Sequence, residues 1–406
     1  MTLRPGRRAV GLMALTQFLL EVQFWFPLWL VFLLELGFDL TTAVIADGVF
    51  RLVSVVAEIP LGMLADRVGR KNCYLLISGL SAATFAGIAV IEDSWHLFAV
   101  WILWGLLWAL NSGAATSYAF EISQTLGPRG GARGFGLIKG AAQLAALVSL
   151  ISAGWFYELD PALPFWLTAV LAVVAGLLAL GLPDIPHEVS RPTLRSVRHD
   201  IRGAVASPGT RAAIVVAVLF LFHAWSVRIL FQPLALDLGL TPTETGWMYA
   251  LVAAVAIAAA VAIGWAPPAH RPGVVGLGGG LTVAACAATW AMPAFGPVLW
   301  LPVLSLGWAA AWTTLELELA ERTRPAVRAT VLSIVSCAAG IGIAVARPAL
   351  GIIADSAGSP AAFGLWALAG VVVVAAMAIP LLRMREHSAP ARRHSSAKTA
   401  PRVLGT

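Results

Sequence analysis

The sequence predicts an all-α polytopic membrane protein with twelve transmembrane helices arranged as two related six-helix bundles. Three observations lead to this fold class. The 406 residues are 59% hydrophobic and only 12% charged, with a mean hydropathy of +0.84, whereas soluble domains are about 45–50% apolar and about 25% charged. Apolar windows of membrane-spanning length recur along the chain. Among the connections between these windows, Lys and Arg occur only in alternate ones.

Twelve apolar windows define the predicted spans, because a bilayer core requires about 20 apolar residues per helix. They lie at about residues 11–37, 42–64, 73–91, 97–121, 133–157, 163–182, 212–236, 245–265, 273–292, 297–319, 328–353 and 361–382. The first window is longer than the apolar core of a signal peptide, so we expect it to be retained as a helix.

Loop charges orient the spans. With the N-terminus in the cytoplasm, the basic residues of the connections all fall on that side: Arg67, Arg70, Lys71, Arg129, Arg133, Arg191, Arg195, Arg198, Arg202, Arg211, Arg271, Arg322, Arg324 and Arg328. The other side holds only acids, namely Glu35, Asp39, Glu92, Asp93, Glu158, Asp160, Asp237 and Glu244. This positive-inside pattern predicts a multi-pass cell-membrane protein with both termini in the cytoplasm.

The predicted division of the chain places one bundle at 1–183 and the other at 211–383. The segment 184–210 contains TLRSVRHDIRGAV, in which Leu194, Val197, Ile201 and Val205 share one face. This pattern predicts an amphipathic helix on the anionic inner leaflet. The basic tail, 384–406, is rich in Pro and Ser and is expected to be disordered, either solvated or weakly attracted to lipids.

A repeat relates the two halves. A shift of 195 residues superimposes four charged positions: Glu121 on Glu316, Arg129 on Arg324, Arg133 on Arg328 and Asp160 on Asp355. Six spans followed by six related spans is typical of a rocking secondary transporter with a site between its halves.

The connection between spans 2 and 3 carries the most specific motif, GMLADRVGRKN at residues 62–72. The arrangement Gly62-x-Leu64-Ala65-Asp66-Arg67-x-Gly69-Arg70-Lys71 resembles the signature loop of the major facilitator superfamily. The resemblance extends along the whole chain in topology, and it includes ARGFGLIKG and VRATVLSIV at the starts of spans 5 and 11. It implies transport by alternating access.

The resemblance also implies a gate at the cytoplasmic face. Asp66 is expected to meet the N-terminus of span 11, and Arg67, Arg70 and Lys71 are expected to reach acids such as Glu121. The candidate gate residues are Gly62, Asp66, Arg67, Gly69, Arg70, Lys71, Glu121, Arg133, Glu316 and Arg328. The alternative is that these cations only set the topology. The matching connection of the second half, GWAPPAHRPG, offers only Arg271, so its gate is expected to be degenerate.

Ionisable residues inside the spans are candidates for coupling, because charges in hydrocarbon are costly. Alignment of Gly37 with Gly239, at the ends of spans 1 and 7, places Glu21 opposite His223. Glu21 is therefore expected to gain and lose a proton during transport with His223 or Arg228 as partner, and Glu58 is a weaker candidate. The alternative is a static buried pair. Elsewhere, Asp47 is expected to pair with Arg51 within span 2. Arg347 is expected to bind Asp355 and nearby carbonyl groups, and the alternative is that it faces an anionic substrate.

In the superfamily, spans 1, 4, 7 and 10 line the central cavity. The candidate lining residues here are Gln17, Gln23, Trp25, Trp104, Trp108, Asn111, Tyr118, Trp225, Gln232, Trp308 and Trp312. Aromatic rings around a few polar groups suit an amphipathic small molecule. The alternative for the tryptophans is a position at the membrane interfaces.

No enzyme motif is present: the chain has no HExxH, no paired CxxC and no GxxxxGK[ST]. The sequence therefore predicts a transporter that is not an enzyme, acts as a monomer, and needs no cofactor, metal or nucleic acid. We expect proton-coupled efflux of a hydrophobic or cationic compound. Uptake by proton symport is the alternative, because the Arg of drug antiporters in span 4 is replaced by Trp101, and AALVSLISAGW in span 5 lacks their GPxxGG element.

Overall fold

The computed structural model describes residues 5–185, 202, 207–263, 265, 267–323 and 325–388. Within those ranges all regular structure is helical. Ten helical segments are long and apolar enough to cross a membrane. The two remaining spans are an interrupted span 1 and the shorter helix Leu163–Ala179 of span 6. The helical membrane fold predicted from hydropathy is confirmed.

The first half contains spans 1 to 6. Span 1 consists of two helices, and the next five spans are one helix each; in order they are Pro5–Glu21 with Trp29–Glu35, Leu40–Val68, Arg70–Ala89, Ser94–Gln124, Pro128–Leu159 and Leu163–Ala179. Both termini of this half lie at the same end of the bundle, because it contains an even number of spans.

The second half contains spans 7 to 12. Span 7 is interrupted as span 1 is, and span 10 begins with irregular helical turns; in order they are Pro208–Val227 with Phe231–Asp237, Pro242–Ile263, Arg271–Ala291, Leu301–Arg322, Pro325–Ala357 and Ser359–Ser388. The predicted amphipathic stretch at 194–205 and the tail at 389–406 lie outside the described residues, apart from Arg202.

Helix packing repeats between the halves. In the first half span 1 packs on spans 5 and 6, span 2 on span 4, and span 3 on spans 4 and 6; the corresponding spans of the second half make the same pairings. Between the halves, span 2 packs on span 11 and span 8 on span 5. These two contacts are equivalent under exchange of the halves, so the molecule has the predicted two-bundle arrangement.

Spans 1 and 7 end in the same backbone cap, which supports the alignment of Gly37 with Gly239. Both glycines have a positive φ, 93° and 76°, a conformation that costs glycine little. Phe38 N–H donates to Leu33 O at 3.1 Å, and Leu240 N–H donates to Ala235 O at 3.0 Å. This hydrogen bond across the last helical turn is the Schellman motif.

Candidate functional site

The connections between spans lie at two opposite faces of the molecule. The terminal face holds the start of span 1, the end of span 12 and the connections that follow even-numbered spans. The opposite face holds the connections that follow odd-numbered spans. The charge pattern predicts that the terminal face is cytoplasmic.

Glu21 ends the first helix of span 1 and lies in a pocket between spans 1, 3 and 4. Its carboxylate accepts from Gln17 Nε2 at 2.9 Å and from Gln23 Nε2 at 3.4 Å. Tyr74 donates to Gln17 Oε1 at 3.3 Å. Among the predicted lining residues, this pocket gathers Gln17, Gln23, Trp25, Trp104, Trp108 and Asn111. The sequence thus identified one wall of the cavity, and it missed Tyr74.

The predicted partnership of Glu21 with His223 or Arg228 is wrong in this arrangement. His223 is 1% exposed and stacks on Trp366 of span 12, with ring centroids 5.7 Å apart. Span 7 therefore turns His223 towards its own bundle. The positive charge that acts on Glu21 comes instead from Lys139 of span 5, a span that packs on span 1. Sequence reasoning missed this residue, although it is the only Lys inside a predicted span.

Two other predicted lining residues have structural contacts instead. Gln232 accepts from Leu30 N–H at 3.1 Å and donates to Phe26 O at 3.3 Å, so it ties span 7 to span 1. Tyr118 donates to Pro183 O at 2.8 Å, close to the terminal face. Both side chains bind carbonyl or amide groups of neighbouring segments, because such groups are exposed where helices end or break.

Arginines from spans 2, 7 and 11 meet in the middle of the molecule. Arg228 stacks on Trp225 and Trp308, at 5.0 and 5.1 Å from the ring centroids. Arg51 stacks on Phe50 and Trp108, at 5.1 and 5.6 Å. Another aromatic residue predicted to line the cavity, Trp312 of span 10, is partly buried.

Arg347 pairs with Asp47 across the two bundles. The predicted pair of Asp47 with Arg51 is therefore wrong: Asp47 binds Arg347, whose Nη2 also donates to Trp225 O at 3.1 Å. Asp355, the predicted partner of Arg347, instead accepts from the backbone N–H and hydroxyl of Thr41. Only the crossing of spans 2 and 11 brings Asp47 and Arg347 together.

The bundles are joined at the opposite face by two matching helix crossings. A Cβ atom added to Gly48 of span 2 would lie 2.9 Å from Ala344 O, and one added to Gly246 of span 8 would lie 2.6 Å from Leu150 O. Such close backbone approach requires glycine. Within the described part, the hydrogen bonds between the halves extend from this face as far as Glu58, which lies 3.0 Å from Cys337 Sγ.

At the terminal face the first half carries an ionic clasp within its own bundle. Arg70 Nε lies 2.5 Å from Glu121 Oε1, and Lys71 Nζ donates to Leu180 O and Leu182 O at 2.8 and 2.7 Å. The motif is less of a loop than expected, because span 2 continues through Gly62 to Val68 and only Gly69, with a φ of 86°, forms the turn.

The remaining gate candidates are not paired with one another by the described contacts. Arg67, Arg133 and Glu316 are exposed. The side chains of Asp66 and Arg328 lie outside the described residues, so their predicted contact stays a prediction.

The second half has a clasp as well, contrary to the expectation of a degenerate gate. Arg271 lies 3.2 Å from Glu318 and 2.6 Å from Glu321, and Arg322 lies 2.7 Å from Glu318. Arg271 thus takes the place of Arg70 at the start of span 9. In this clasp Glu318 and Glu321, rather than the Glu316 that the shift of 195 residues matched to Glu121, bind the arginine.

A sequence-family profile described as Major Facilitator Superfamily matches residues 10–317 and, in a second overlapping match, residues 213–405. The chain belongs to the Major Facilitator Superfamily. This match confirms the family that the motif at residues 62–72 indicated. Membership also accounts for the repeated pairing of spans in the two halves.

The individual superfamily members that match this chain have low sequence identity to it. It is 21% identical to the uncharacterized MFS-type transporter YxaM of Bacillus subtilis over 238 residues, 55% of this chain and 58% of that protein. It is 27% identical to multidrug resistance protein MdtH of Edwardsiella ictaluri over 233 residues, 55% of this chain and 54% of that protein. The chain therefore spans about half the length of these curated relatives.

Solved structures of the superfamily share the fold. The crystal structure of the nucleoside transporter NupG covers 93% of this chain and 99% of its own, with a TM-score of 0.70 and 15% identity. At this identity the likeness concerns the fold alone.

The two clasps differ in strength, which gives a first prediction for this superfamily member. Arg271 binds two carboxylates and its side chain is 11% exposed, whereas Arg70 binds one and is 25% exposed. We expect Arg271→Ala to lower the free energy of unfolding in detergent by about 2–3 kcal/mol and Arg70→Ala by about 1 kcal/mol or less. Denaturant unfolding measures both, with the exposed Arg8→Ala as control. Equal losses of unfolding free energy in the two variants would contradict the prediction that the Arg271 clasp is the stronger one.

Proposed function

We propose that this chain is a proton-coupled secondary transporter that exports an amphipathic small molecule by alternating access. The observation that carries the proposal is Glu21, a carboxylate at a helix break in an aromatic pocket, whose hydrogen bonds come from the neutral amides of Gln17 and Gln23. A carboxylate placed in this way exchanges a proton when its surroundings change between the two arrangements of the cycle.

Alternating access requires that each face of the molecule is closed in turn. The crossings of spans 2 with 11 and 5 with 8 hold the opposite face shut. If the terminal face is cytoplasmic, as the loop charges predict, this is the inward-facing arrangement. The clasps Arg70–Glu121 and Arg271–Glu318 lie at the face that has to close when the bundles rock.

The direction of transport rests on the named relatives. The matched half of multidrug resistance protein MdtH supports export of a drug-like compound. Uptake of a small metabolite by proton symport is the alternative, supported by Trp101 where drug antiporters carry an Arg. A resistance assay separates them: in an efflux-deficient bacterial host, an exporter lowers accumulation of a panel compound, and a protonophore abolishes the effect. Increased accumulation identifies uptake.

Removal of the carboxylate tests the coupling role of Glu21. We expect Glu21→Gln to keep the hydrogen-bonding shape of the pocket but to lose proton-driven accumulation in proteoliposomes down to the protein-free level, because an amide cannot carry a proton through the cycle. Glu92→Gln removes an exposed acid and is the matched control. If Glu21→Gln still accumulates substrate against its gradient when a pH gradient is imposed, the proposed coupling is refuted.

A further inference from the structure

We propose that Arg51, Arg228 and Arg347 form an anion-binding subsite in the central cavity, so that the transported molecule is an organic anion. Its negative group is a carboxylate, sulfonate or phosphate, and an aromatic or apolar body is attached to that group. The inference rests on the proposed transport function, because it specifies the cargo of the same cavity.

The three guanidinium groups come from three different spans and share neighbours. Arg347 donates to Trp225 O, and Arg228 lies over the ring of the same Trp225. Arg51 lies one helical turn after Asp47, which binds Arg347. One nitrogen of each group is buried without a hydrogen-bond partner: Arg51 Nε, Arg228 Nη1 and Arg347 Nε. A buried donor without a partner costs free energy, and here three such donors belong to cations that lie close together.

The local charges do not balance. Asp47 neutralises Arg347, and among the described residues Arg51 and Arg228 form no ion pair. The other described acids of these spans have contacts of their own: Glu58 lies beside the thiol of Cys337, Asp237 accepts from Ser359, and Asp355 accepts from Thr41. Glu21 of span 1 binds Gln17 and Gln23. The cluster therefore carries excess positive charge, which an anion would neutralise.

Aromatic stacking holds the arginines without using their donors. Trp225 and Trp308 lie against Arg228, and Phe50 and Trp108 lie against Arg51. A ring covers the flat face of a guanidinium group and leaves its in-plane N–H groups free to bind the two oxygens of a carboxylate or phosphate. The same rings offer apolar surface to the body of the ligand, which favours an amphipathic anion over an inorganic one.

The sequence favoured a hydrophobic or cationic cargo instead of an anion. That expectation rested on the aromatic residues of the predicted cavity and on the acidic span 1. In the structure Glu21 is bound by the neutral amides of Gln17 and Gln23, whereas Arg51 and Arg228 are cations that form no ion pair with any described residue.

A matched set of probes tests the subsite. Full-length protein in lipid nanodiscs is titrated with naphthalene derivatives that share one ring system: the carboxylate, sulfonate and phosphate monoester as anions, the carboxamide as neutral probe and the methylammonium as cation. Tryptophan fluorescence reports binding, because Trp108, Trp225 and Trp308 contact the arginines. We expect at least one anion to bind about tenfold or more tightly than both the neutral and the cationic probe.

Substitutions assign the preference to the arginines. Arg228→Gln and Arg51→Gln are each expected to weaken binding of the preferred anion by about tenfold to a hundredfold and to leave the neutral probe unchanged. Arg228→Lys should restore part of the preference by retaining the charge. Arg8→Gln removes an exposed arginine and is the control. The inference is overturned if no anion is preferred, or if the preference survives in both Gln variants.

The outcomes separate this inference from the proposed transport function. If anions are preferred but a pH gradient drives no transport of the preferred probe in proteoliposomes, the subsite stands and proton-coupled transport fails. If a pH gradient drives transport of neutral or cationic compounds and Arg228→Gln leaves that transport unchanged, the transport function stands and the subsite fails.

Discussion

Replacement of Arg347 by Gln is expected to lower the free energy of unfolding in detergent by about 3–5 kcal/mol, because it leaves Asp47 charged, buried and without its partner. Asp47 and Arg347 are 4% and 5% exposed. Their contact also joins span 2 to span 11, so its loss weakens the closed opposite face. Denaturant unfolding followed by circular dichroism measures the stability, and the exposed Arg8→Gln is the control.

A compensating pair of substitutions shows whether the cost comes from the orphaned charge. Asp47→Leu combined with Arg347→Met replaces the ion pair by apolar side chains, an exchange that is often neutral or stabilising. We expect the double variant to recover most of the stability that Arg347→Gln loses. A loss below about 1 kcal/mol in Arg347→Gln itself, the range of exposed ion pairs, would show that the buried pair does not hold the bundles together.

Substitution of Gly154 by Val is expected to force spans 5 and 8 apart at the opposite face and to shift the protein away from the closed arrangement. A Cβ atom at residue 154 would lie 2.2 Å from the Cα of Thr243, a backbone atom that cannot move aside without its helix. Overpacking of this kind costs about 1–3 kcal/mol. The rocking of the bundles offers a way to relieve it.

Spin labels across the crossing measure this shift. Labels on cysteines introduced at the exposed positions Leu159 and Trp247 are expected to move apart in Gly154→Val, as seen in their distance distribution. Gly140→Val on the same span is the matched control, because a Cβ atom there meets nothing within 4 Å. An unchanged label distance in Gly154→Val would mean that the crossing does not set the conformation.

The fold followed from the sequence because bilayer burial acts on each span separately. Hydropathy located the spans. The connections between them are short, such as Gly69 alone between spans 2 and 3 or residues 125–127 between spans 4 and 5, so adjacent spans have to be antiparallel. Residues that act through short-range geometry were also found: Gly69 forms the predicted turn, and Arg70 reaches Glu121 between neighbouring spans. The pocket around Glu21 was predicted in part for the same reason, since Gln17, Glu21 and Gln23 are close in the chain.

The contacts that sequence reasoning missed depend on how each helix is rotated. His223 was aligned correctly along span 7, but the rotation of that span turns it to Trp366. Glu316, Glu318 and Glu321 all lie at the end of span 10, and packing against span 9 decides that Glu318 and Glu321 bind Arg271. An alignment of charged residues at one fixed shift along the sequence cannot show which of these three acids binds the arginine.

By itself, the sequence determined that this chain spans a membrane many times, that its two halves are related and that it resembles the superfamily to which it belongs. Each of these depends on the composition or order of residues, which folding does not change. Only the tertiary structure decided that Asp47 pairs with Arg347, 300 residues away, and that Arg51 and Arg228 form no ion pair within the described part of the chain. Partners of buried charges are set by which helix faces meet, and those faces are determined only when the two bundles pack together.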